Sequence, residues 1–349
     1  MKILLFSDIH IHHYRPYSYD LDGMNSRLRW SLRALEYILE YAYKNDLSIW
    51  FLGDLFEDRK TLRMEAAAET ARVLNMYPRA GNGPFMHVVP GNHDYYSRTG
   101  TVWELFKEHA VVYEEPTVID LEGKRVAIHP YPMDGYDSFK QFLATHEADY
   151  LFTHADMDVE KAGLDEHEIK VGATSIELYK AYRHVYSGHY HWRQTVNNFT
   201  YLGNPIQKDF GDYGQDKGFF VLDLHDGNGS SEFKALPEKF PRFERFDVAS
   251  PEDWGRVVEH RVRRPQDYLR VDYDPVAGIS KDFDITSNPA PVLTKRRTNV
   301  AVPGSRLAQV QGLDKDPVKA YMDFKKKNGV LIPAGADTFA NEILSEVKK

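Results

Sequence analysis

The sequence contains no cysteine. That excludes a disulfide framework, a thiolate zinc site, an iron–sulfur cluster and a thiol nucleophile, so any metal must be held by His, Asp, Glu or Asn. Long apolar runs are missing too. No stretch approaches the roughly 18 consecutive apolar residues of a membrane-spanning helix, and the opening MKILLFSDIH passes straight into charged, His-rich sequence without a small-residue cleavage site. The expectation is a protein with no membrane association that works in the cytoplasm, or in the host cytoplasm if the chain is viral. Internal repeats and low-complexity tracts are absent. The 349 residues, 42% hydrophobic and 28% charged, have the composition of a globular chain with a real core, which excludes global disorder. The net charge of −8 is uneven: residues 1–237 hold 24 Lys+Arg against 35 Asp+Glu, and residues 238–349 hold 20 against 17. An acidic whole argues weakly against nonspecific nucleic-acid binding, yet a chain that commits carboxylates to metals can still present a local basic surface.

The first two thirds repeat one pattern, a short apolar run that ends in polar, chemically loaded residues. Lys2–Phe6 leads into Ser7-Asp8-Ile9-His10, Ser48–Leu52 into Gly53-Asp54, and Phe85–Val89 into Pro90-Gly91-Asn92-His93-Asp94. Runs this short and continuously apolar suit strands buried on both faces. Arg125–His129, Tyr150–His154, His184–His191, Tyr201–Pro205 and Gly218–Leu224 continue the pattern. The turn-rich 226–231 then predicts a hairpin into Glu232–Leu236. Between the first two strands, Leu28, Leu32, Leu35, Leu39 and Ala42 recur at helical spacing, with Asn25 or Ser26 as the N-cap. A second helix is predicted over about 62–76. Strands alternating with helices imply a layered α/β sheet, whose core is expected to end near Pro237.

Beyond it, residues 238–283 read as a small α+β appendage: an alternating edge strand at Phe243, Phe246 and Val248, a helix from Pro251 to about Arg264, and a strand over Asp267–Tyr273. Residues 284–312, with Pro289, Pro291, Pro303 and Gly304 and few apolar residues, read as a linker. Residues 313–349 are expected to form two short helices.

Seven residues able to bind a metal fall just after strand-like runs: Asp8, His10, Asp54, Asn92, His154, His189 and His191. In open α/β sheets ligands collect beyond the carboxyl ends of the strands, so these residues are expected to converge. Asp8/His10 and His189/His191 are each two apart, and at period 2 each pair projects to one side. A mixed Asp/Asn/His set suits Mn²⁺, Fe²⁺ or Zn²⁺ better than Ca²⁺ or an all-oxygen Mg²⁺ cage. Seven ligands exceed one tetrahedral ion, but with a bridging carboxylate they fit two ions about 3.5–4 Å apart.

Taken in order, Asp8-x-His10, Gly53-Asp54, Gly91-Asn92-His93-Asp94, Thr153-His154 and Gly188-His189-x-His191 resemble the signature of the calcineurin-like metallophosphoesterases. Further on, Tyr201-Leu202-Gly203-Asn204-Pro205, Phe210-Gly211-Asp212-Tyr213-Gly214 and Lys217-Gly218-Phe219 are similar to the SbcD-type DNA-repair nucleases, which usually have Ser where this chain has Asn204. The resemblance implies a four-layer α/β/β/α phosphoesterase core with a small α+β cap, followed here by a C-terminal helical tail. It implies that Asp8, His10, Asp54 and His191 bind one divalent ion and that Asp54, Asn92, His154 and His189 bind a second, with Asp54 bridging. Mn²⁺ is the expected ion, with Fe²⁺, Zn²⁺ or Mg²⁺ as alternatives. His93 would be the catalytic non-ligand histidine that stabilises the transition state or protonates the leaving oxygen, oriented by Glu57, Asp58 or Asp94.

The implied activity is DNA phosphodiester hydrolysis, 3′-to-5′ exonucleolytic on double strands and endonucleolytic on single strands or hairpins, and the compact size would suit a bacteriophage subunit. Implied partners are DNA, a second copy in a homodimer, and an SbcC-like SMC-type ATPase held by the C-terminal helices. Arg256, Arg261, Arg263, Arg264 and Arg270 in the appendage, and Lys295, Arg296 and Arg297 in the linker, are candidate DNA contacts, with a solvated charged surface as the alternative. Two rival functions stand beside this one. A small-substrate phosphodiesterase or phosphatase would use the same site, although the Arg-Gly and Gly-Asn-His-Glu patterns of protein phosphatases are absent. A DNA-end-binding scaffold would have no need of His93.

Overall fold

The computed structural model describes residues 1–77, 86–157, 174–225, 231–273, 290 and 292–296, all within a compact unit that spans Met1–Arg296. Two six-stranded sheets carry the architecture. The first runs in the order β14 (Ser231–Ala235), β13 (Gly218–Asp223), β1 (Lys2–Phe6), β4 (Ser48–Phe51), β5 (Met86–Val88) and β6 (Ala110–Val112). The second runs β11 (Gln194–Val196), β12 (Phe199–Tyr201), β10 (His184–Gly188), β9 (Tyr150–His154), β8 (Lys124–His129) and β7 (Thr117–Leu121). Strands β1, β4, β5 and β6 are mutually parallel, as are β8, β9, β10 and β12, so the carboxyl ends of each set lie along one edge.

Period-2 alternation divides the apolar residues between layers. Ile3, Leu5, Trp50 and Leu52 of the first sheet pack with Val126, Ile128, Tyr150, Phe152 and Tyr186 of the second to form the inter-sheet core. Their alternates Leu4, Phe6, Ile49, Phe51 and Val88 face helices α1 (Ser26–Lys44) and α2 (Met64–Asn75). Ala127, Leu151, Val185 and Phe199 face helix α3 (Tyr136–Thr145) and the 3₁₀ turn Ile176–Tyr179 on the far side. The result is the four-layer α/β/β/α sandwich.

In α1 the predicted stripe, Leu28, Leu32, Leu35, Leu39 and Ala42, is buried, and each fully buried leucine contributes about 1.5–3 kcal/mol. Asn25 is the N-cap, its side-chain oxygen accepting from the Leu28 N–H at 3.1 Å, a contact of about 1 kcal/mol. A short hairpin of β2 (Asp20–Leu21) and β3 (Met24–Asn25) feeds this cap. The strand expected over Tyr201–Pro205 instead occupies Phe199–Tyr201. Its continuation is interrupted at Gly203, whose φ of +71° turns the chain out of the sheet.

The appendage forms a parallel three-stranded sheet, β15 (Phe243–Val248), β16 (Tyr268–Tyr273) and β17 (Val292–Arg296), with helix α4 (Pro251–Arg263) packed on it through Val257 and Trp254. Strand β17 corrects the linker expectation for 292–296. The β-branched and apolar start of Val292-Leu293-Thr294 suits an edge strand that pairs with β16, a signal masked by the flanking prolines. The appendage is fastened to the core by Phe210, Phe243 and Tyr268, by Tyr17 and Tyr19, and by the buried Arg27 guanidinium, 4.6 Å from the Tyr14 ring and 5.1 Å from that of Phe243. Arg297 and the expected tail helices lie outside the described residues. No described helix is long and apolar enough to cross a membrane.

Candidate metal centre

Each expected ligand sits at or just past the carboxyl end of a parallel strand: Asp8 and His10 after β1, Asp54 after β4, Asn92 after β5, His154 closing β9, and His189 and His191 after β10. Four of them, Asp8, His10, Asp54 and His189, have left-handed backbones with φ of 54°, 47°, 65° and 93°. That conformation costs an L-residue about 1–3 kcal/mol and persists only where its surroundings over-determine it. Here they do. The Asp8 N–H donates to the Gly53 carbonyl at 2.8 Å, the His10 N–H to the Asp54 carbonyl at 3.1 Å and the Ile11 N–H to the Leu55 carbonyl at 2.8 Å. The His189 N–H donates to both Asp8 carboxylate oxygens at 3.0 and 3.1 Å.

The ligand atoms form adjoining clusters, Asp8/His10/His191 and Asp8/Asp54/His154, with mutual separations within 4.8 Å. His10 Nε2 and His191 Nε2 face each other at 3.0 Å, and His10 Nε2 lies 3.5 Å from Asp54 Oδ2. On the other side of Asp54, His154 Nε2 lies 3.4 Å from Oδ2. Asn92 Oδ1 is 3.1 Å from His154 Nε2 and 3.0 Å from His189 Nδ1. The opposite nitrogens are already engaged: His154 Nδ1 with the Leu52 carbonyl at 2.7 Å and His189 Nε2 with Asp156 at 2.5 Å. The lone pairs that remain converge with carboxylate and amide oxygens on a buried space, a donor set that fits divalent cations. Glycine is required around it. A Cβ on Gly91 would lie 2.3 Å from Asp54 Oδ1, and one on Gly188 would lie 2.6 Å from His154 Nδ1.

Electrostatics follow the geometry. Burial works to raise the Asp54 pKa, but His154 and His10 overcome it and hold this carboxyl well below its usual range. Burial opposes charge on His154 as well, yet the Asp54 carboxylate raises its pKa, so a divalent ion held there would take the place of a proton on Nε2. Burial, aided by Lys208, depresses His10 and His191, keeping their imidazoles neutral as metal ligation requires.

The residues that brace the ligands were not singled out as such from sequence. Glu57 is the main one: its carboxylate lies 3.0 Å from His10 Nδ1 and accepts from Tyr14 at 2.9 Å and Lys208 at 2.7 Å, while its backbone carbonyl engages His93 Nδ1. Of the three acidic residues considered as orienters of His93, Glu57 therefore does so, through its main chain. Asp94 instead holds the loops together, accepting from the N–H groups of Asp54, Leu55 and Gly91 at 2.8–2.9 Å. Burial and the neighbouring Asp54 push its carboxyl up to about 6. Asp156, which fixes His189 and Tyr136, carries no periodic signal. The segment after β12 buttresses His191: its carbonyl accepts from the Asn204 N–H at 3.2 Å and Lys217 Nζ at 2.8 Å, and the Asn204 side chain donates to Asp212.

His93 abuts the centre. Its N–H donates to Asp54 Oδ1 at 2.7 Å, its ring stands edge-on to His10 at 4.9 Å, and one of its nitrogens falls within 4.8 Å of ligand atoms of His10 and Asp54.

The basic candidates divide. Arg261 is buried and donates to the carbonyls of Pro265, Asp267 and Ala290, and Arg264 is taken up by Asp267 and the Phe240 carbonyl. Both are therefore committed to the appendage fold, which corrects their expected DNA contact: helical spacing does not reveal that this face of α4 turns inward. Arg256 is exposed beside Glu252 and Asp253, Arg263 is exposed, and Arg270 pairs with Asp272 at 3.2 Å. Lys295 and Arg296 lie on β17.

A fold of this topology with this donor set at its strand ends defines a metallophosphoesterase. Residues 1–260 match the family model of the calcineurin-like phosphoesterases, and the chain belongs to that family, one of metal-dependent hydrolases of ester bonds. It is 25% identical over 240 residues to Exonuclease subunit 1 of Enterobacteria phage T4; the match spans 64% of this chain and 65%, just under two thirds, of that relative. Among solved structures, a dimetal phosphatase from Danio rerio aligns at 11% identity over 68% of this chain and 99% of its own, with a TM-score of 0.41. A hypothetical protein from Thermus thermophilus aligns at 13% over 68% and 100%, with a TM-score of 0.38.

Proposed function

We propose that this chain is a two-metal DNA nuclease, a 3′-to-5′ exonuclease on double-stranded DNA that also cuts single strands and hairpins, working in DNA repair, recombination or phage DNA metabolism. The observation that carries the reading is the likeness over 240 residues to a phage exonuclease subunit, beside the family match over residues 1–260, which hold all seven candidate ligands. The SbcD-like stretch from Tyr201 to Phe219 supports it, because it braces the His191 loop. Asp8, His10, Asp54 and His191 would hold one divalent ion, and Asp54, Asn92, His154 and His189 the other, with Mn²⁺ the proposed metal. Such ions, when bound, supply Lewis acidity at phosphorus and a nucleophilic hydroxide at neutral pH.

The protein's own part is positioning and proton transfer. With Nδ1 of His93 tied to the Glu57 carbonyl, Nε2 is the nitrogen left to give a proton to the leaving 3′ oxygen, a contribution of about 10²–10⁴ in rate. Asp94 and the paired carbonyls of Gly53 and Asp54 fix the ligand loops so that the site needs little reorganisation. We extend the proposal to a homodimer and to an SMC-type ATPase partner bound through residues 313–349.

The test is digestion, in Mn²⁺, of duplex DNA labelled at the 5′ end and, separately, at the 3′ end, with His93→Asn alongside to exclude contaminants. Progressive shortening from the 3′ end that disappears in the variant supports the reading. Hydrolysis of small phosphate esters with DNA left intact refutes it in favour of a small-substrate phosphoesterase.

A further inference from the structure

Beside the metal centre lies an open cavity of about 360 Å³, within the range of small-ligand sites and far too small for a duplex. One residue of its wall also borders the centre. Tyr131, in the wall, has its ring 5.8 Å from that of His189 and 6.2 Å from that of His154, and its N–H is held by the Pro90 carbonyl at 2.9 Å, next to the Gly91-Asn92 ligand loop. Tyr95, in the same wall, is two residues beyond His93. The cavity therefore adjoins both the second ligand cluster and the segment that carries the proposed acid.

Its lining combines a stacking surface with polar readout. Tyr131 and Tyr95 supply aromatic rings, and Glu114 supplies a carboxylate that accepts from Thr101 at 2.7 Å. His129 is buried and kept in its neutral form by that burial. Its Nδ1 engages the Pro130 carbonyl at 2.6 Å, so Nε2 retains a lone pair. At the rim, Arg98 and Asp134 are exposed and paired at 2.6 Å. Aromatic faces with a few hydrogen-bonding groups are what a nucleobase and its sugar require, and the nitrogen ligands one ring away are where the phosphate of that nucleotide would be cleaved.

We infer that this cavity receives the nucleoside whose 5′ phosphate is attacked, with Tyr131 as its stacking platform. The inference rests on the nuclease reading and deepens it: the terminal nucleotide must leave its base-paired partner to enter, as for other enzymes that act on a nucleotide removed from the duplex stack. The enzyme would then bind a frayed end and release 5′-mononucleotides one at a time.

Two substrates with the same leaving group test this, thymidine 5′-(p-nitrophenyl phosphate) and methyl p-nitrophenyl phosphate. The wild type should prefer the nucleoside ester. In Tyr131→Leu that preference, read as the ratio of the two kcat/KM values so that any loss shared by both esters cancels, should fall about 5- to 150-fold, the range expected for one lost stacking contact. Met133→Trp, at a partly exposed position of the lining, should lower the preference without altering residues beside the ligands, and thymidine 5′-monophosphate should inhibit the wild type more strongly than Met133→Trp. Degradation of DNA with equal use of both esters, or a preference that survives both variants, overturns the cavity inference alone. Methyl-ester hydrolysis without DNA hydrolysis overturns the nuclease reading itself.

Discussion

Gly91→Ala offers the sharpest perturbation of the metal centre, because it adds one methyl group and no charge. Gly91 does not have a positive φ, so alanine adopts its backbone freely and the clash is the whole effect. The new Cβ would lie 2.3 Å from Asp54 Oδ1, 2.6 Å from His154 Cε1 and 2.7 Å from His154 Nδ1. Real Cβ contacts essentially never fall below 3.0 Å, so the Asp54 carboxylate must retreat by at least 0.7 Å. Metal–ligand distances tolerate about 0.2 Å, and displacement of reacting groups by about 1 Å can cost about 100-fold in rate. Gly91→Ala should therefore lose about 100-fold in Mn²⁺-dependent phosphodiester hydrolysis and bind fewer than two ions by plasma mass spectrometry, with about 1–3 kcal/mol of destabilisation from overpacking. Gly23→Ala is the control. Its Cβ meets nothing within 4 Å but its φ is +74°, so it should cost about 1 kcal/mol of stability and leave metal content and rate unchanged. Wild-type hydrolysis with two bound ions in Gly91→Ala would refute the proposed convergence of Asp54 and His154.

Three further perturbations separate bracing, titration and surface charge. Glu57→Gln and Asp156→Asn, which loosen His10 and His189, should each weaken metal binding about 10- to 100-fold, measured by competition with a chromogenic chelator; unchanged affinity would deny them a bracing role. Burial lowers His87, stacked on Trp50, to about 4 from an ordinary 6.5. Since the unfolded chain then binds the extra proton, its contribution is complete above pH 6.5 and is lost as the pH falls toward 4. In chelator-treated protein, His87→Phe should abolish about 2.5 kcal/mol of the stability difference between pH 7 and pH 4.5, read from urea midpoints; an unaltered pH slope would refute the assignment. Arg261→Met, which strips donors from three backbone carbonyls, should destabilise the appendage by roughly 3 kcal/mol without changing the salt dependence of DNA binding, whereas a reduced salt slope would return Arg261 to the DNA surface.

The metal-binding candidates were legible because a polar residue at the end of a short, doubly buried strand contrasts sharply with the run before it, and parallel strands bring such ends together whatever their separation in sequence. Helix α1 was legible from its leucine spacing and its Asn25 cap. Glu57, Asp156 and Lys208 were not, since they lie on irregular segments where no period marks which side chain turns inward, and their roles exist only once His10, His93 and His189 are in place. Glu57 acts on His93 through its main chain, which side-chain chemistry cannot announce. Arg261 shows the converse: a basic helix face looked solvated until the carbonyls of Pro265, Asp267 and Ala290 were seen to need its donors. Strand β17 was hidden by neighbouring prolines, and the cavity at Tyr131 is a juxtaposition of loops with no motif at all.

Anomalous diffraction from crystals grown with Mn²⁺ shows directly whether Asp54 stands between two ions. Two peaks should flank the Asp54 carboxylate, one within ligand distance of Asp8, His10 and His191, the other of Asn92, His154 and His189. A single peak, or ions held away from Asp54, would contradict that arrangement.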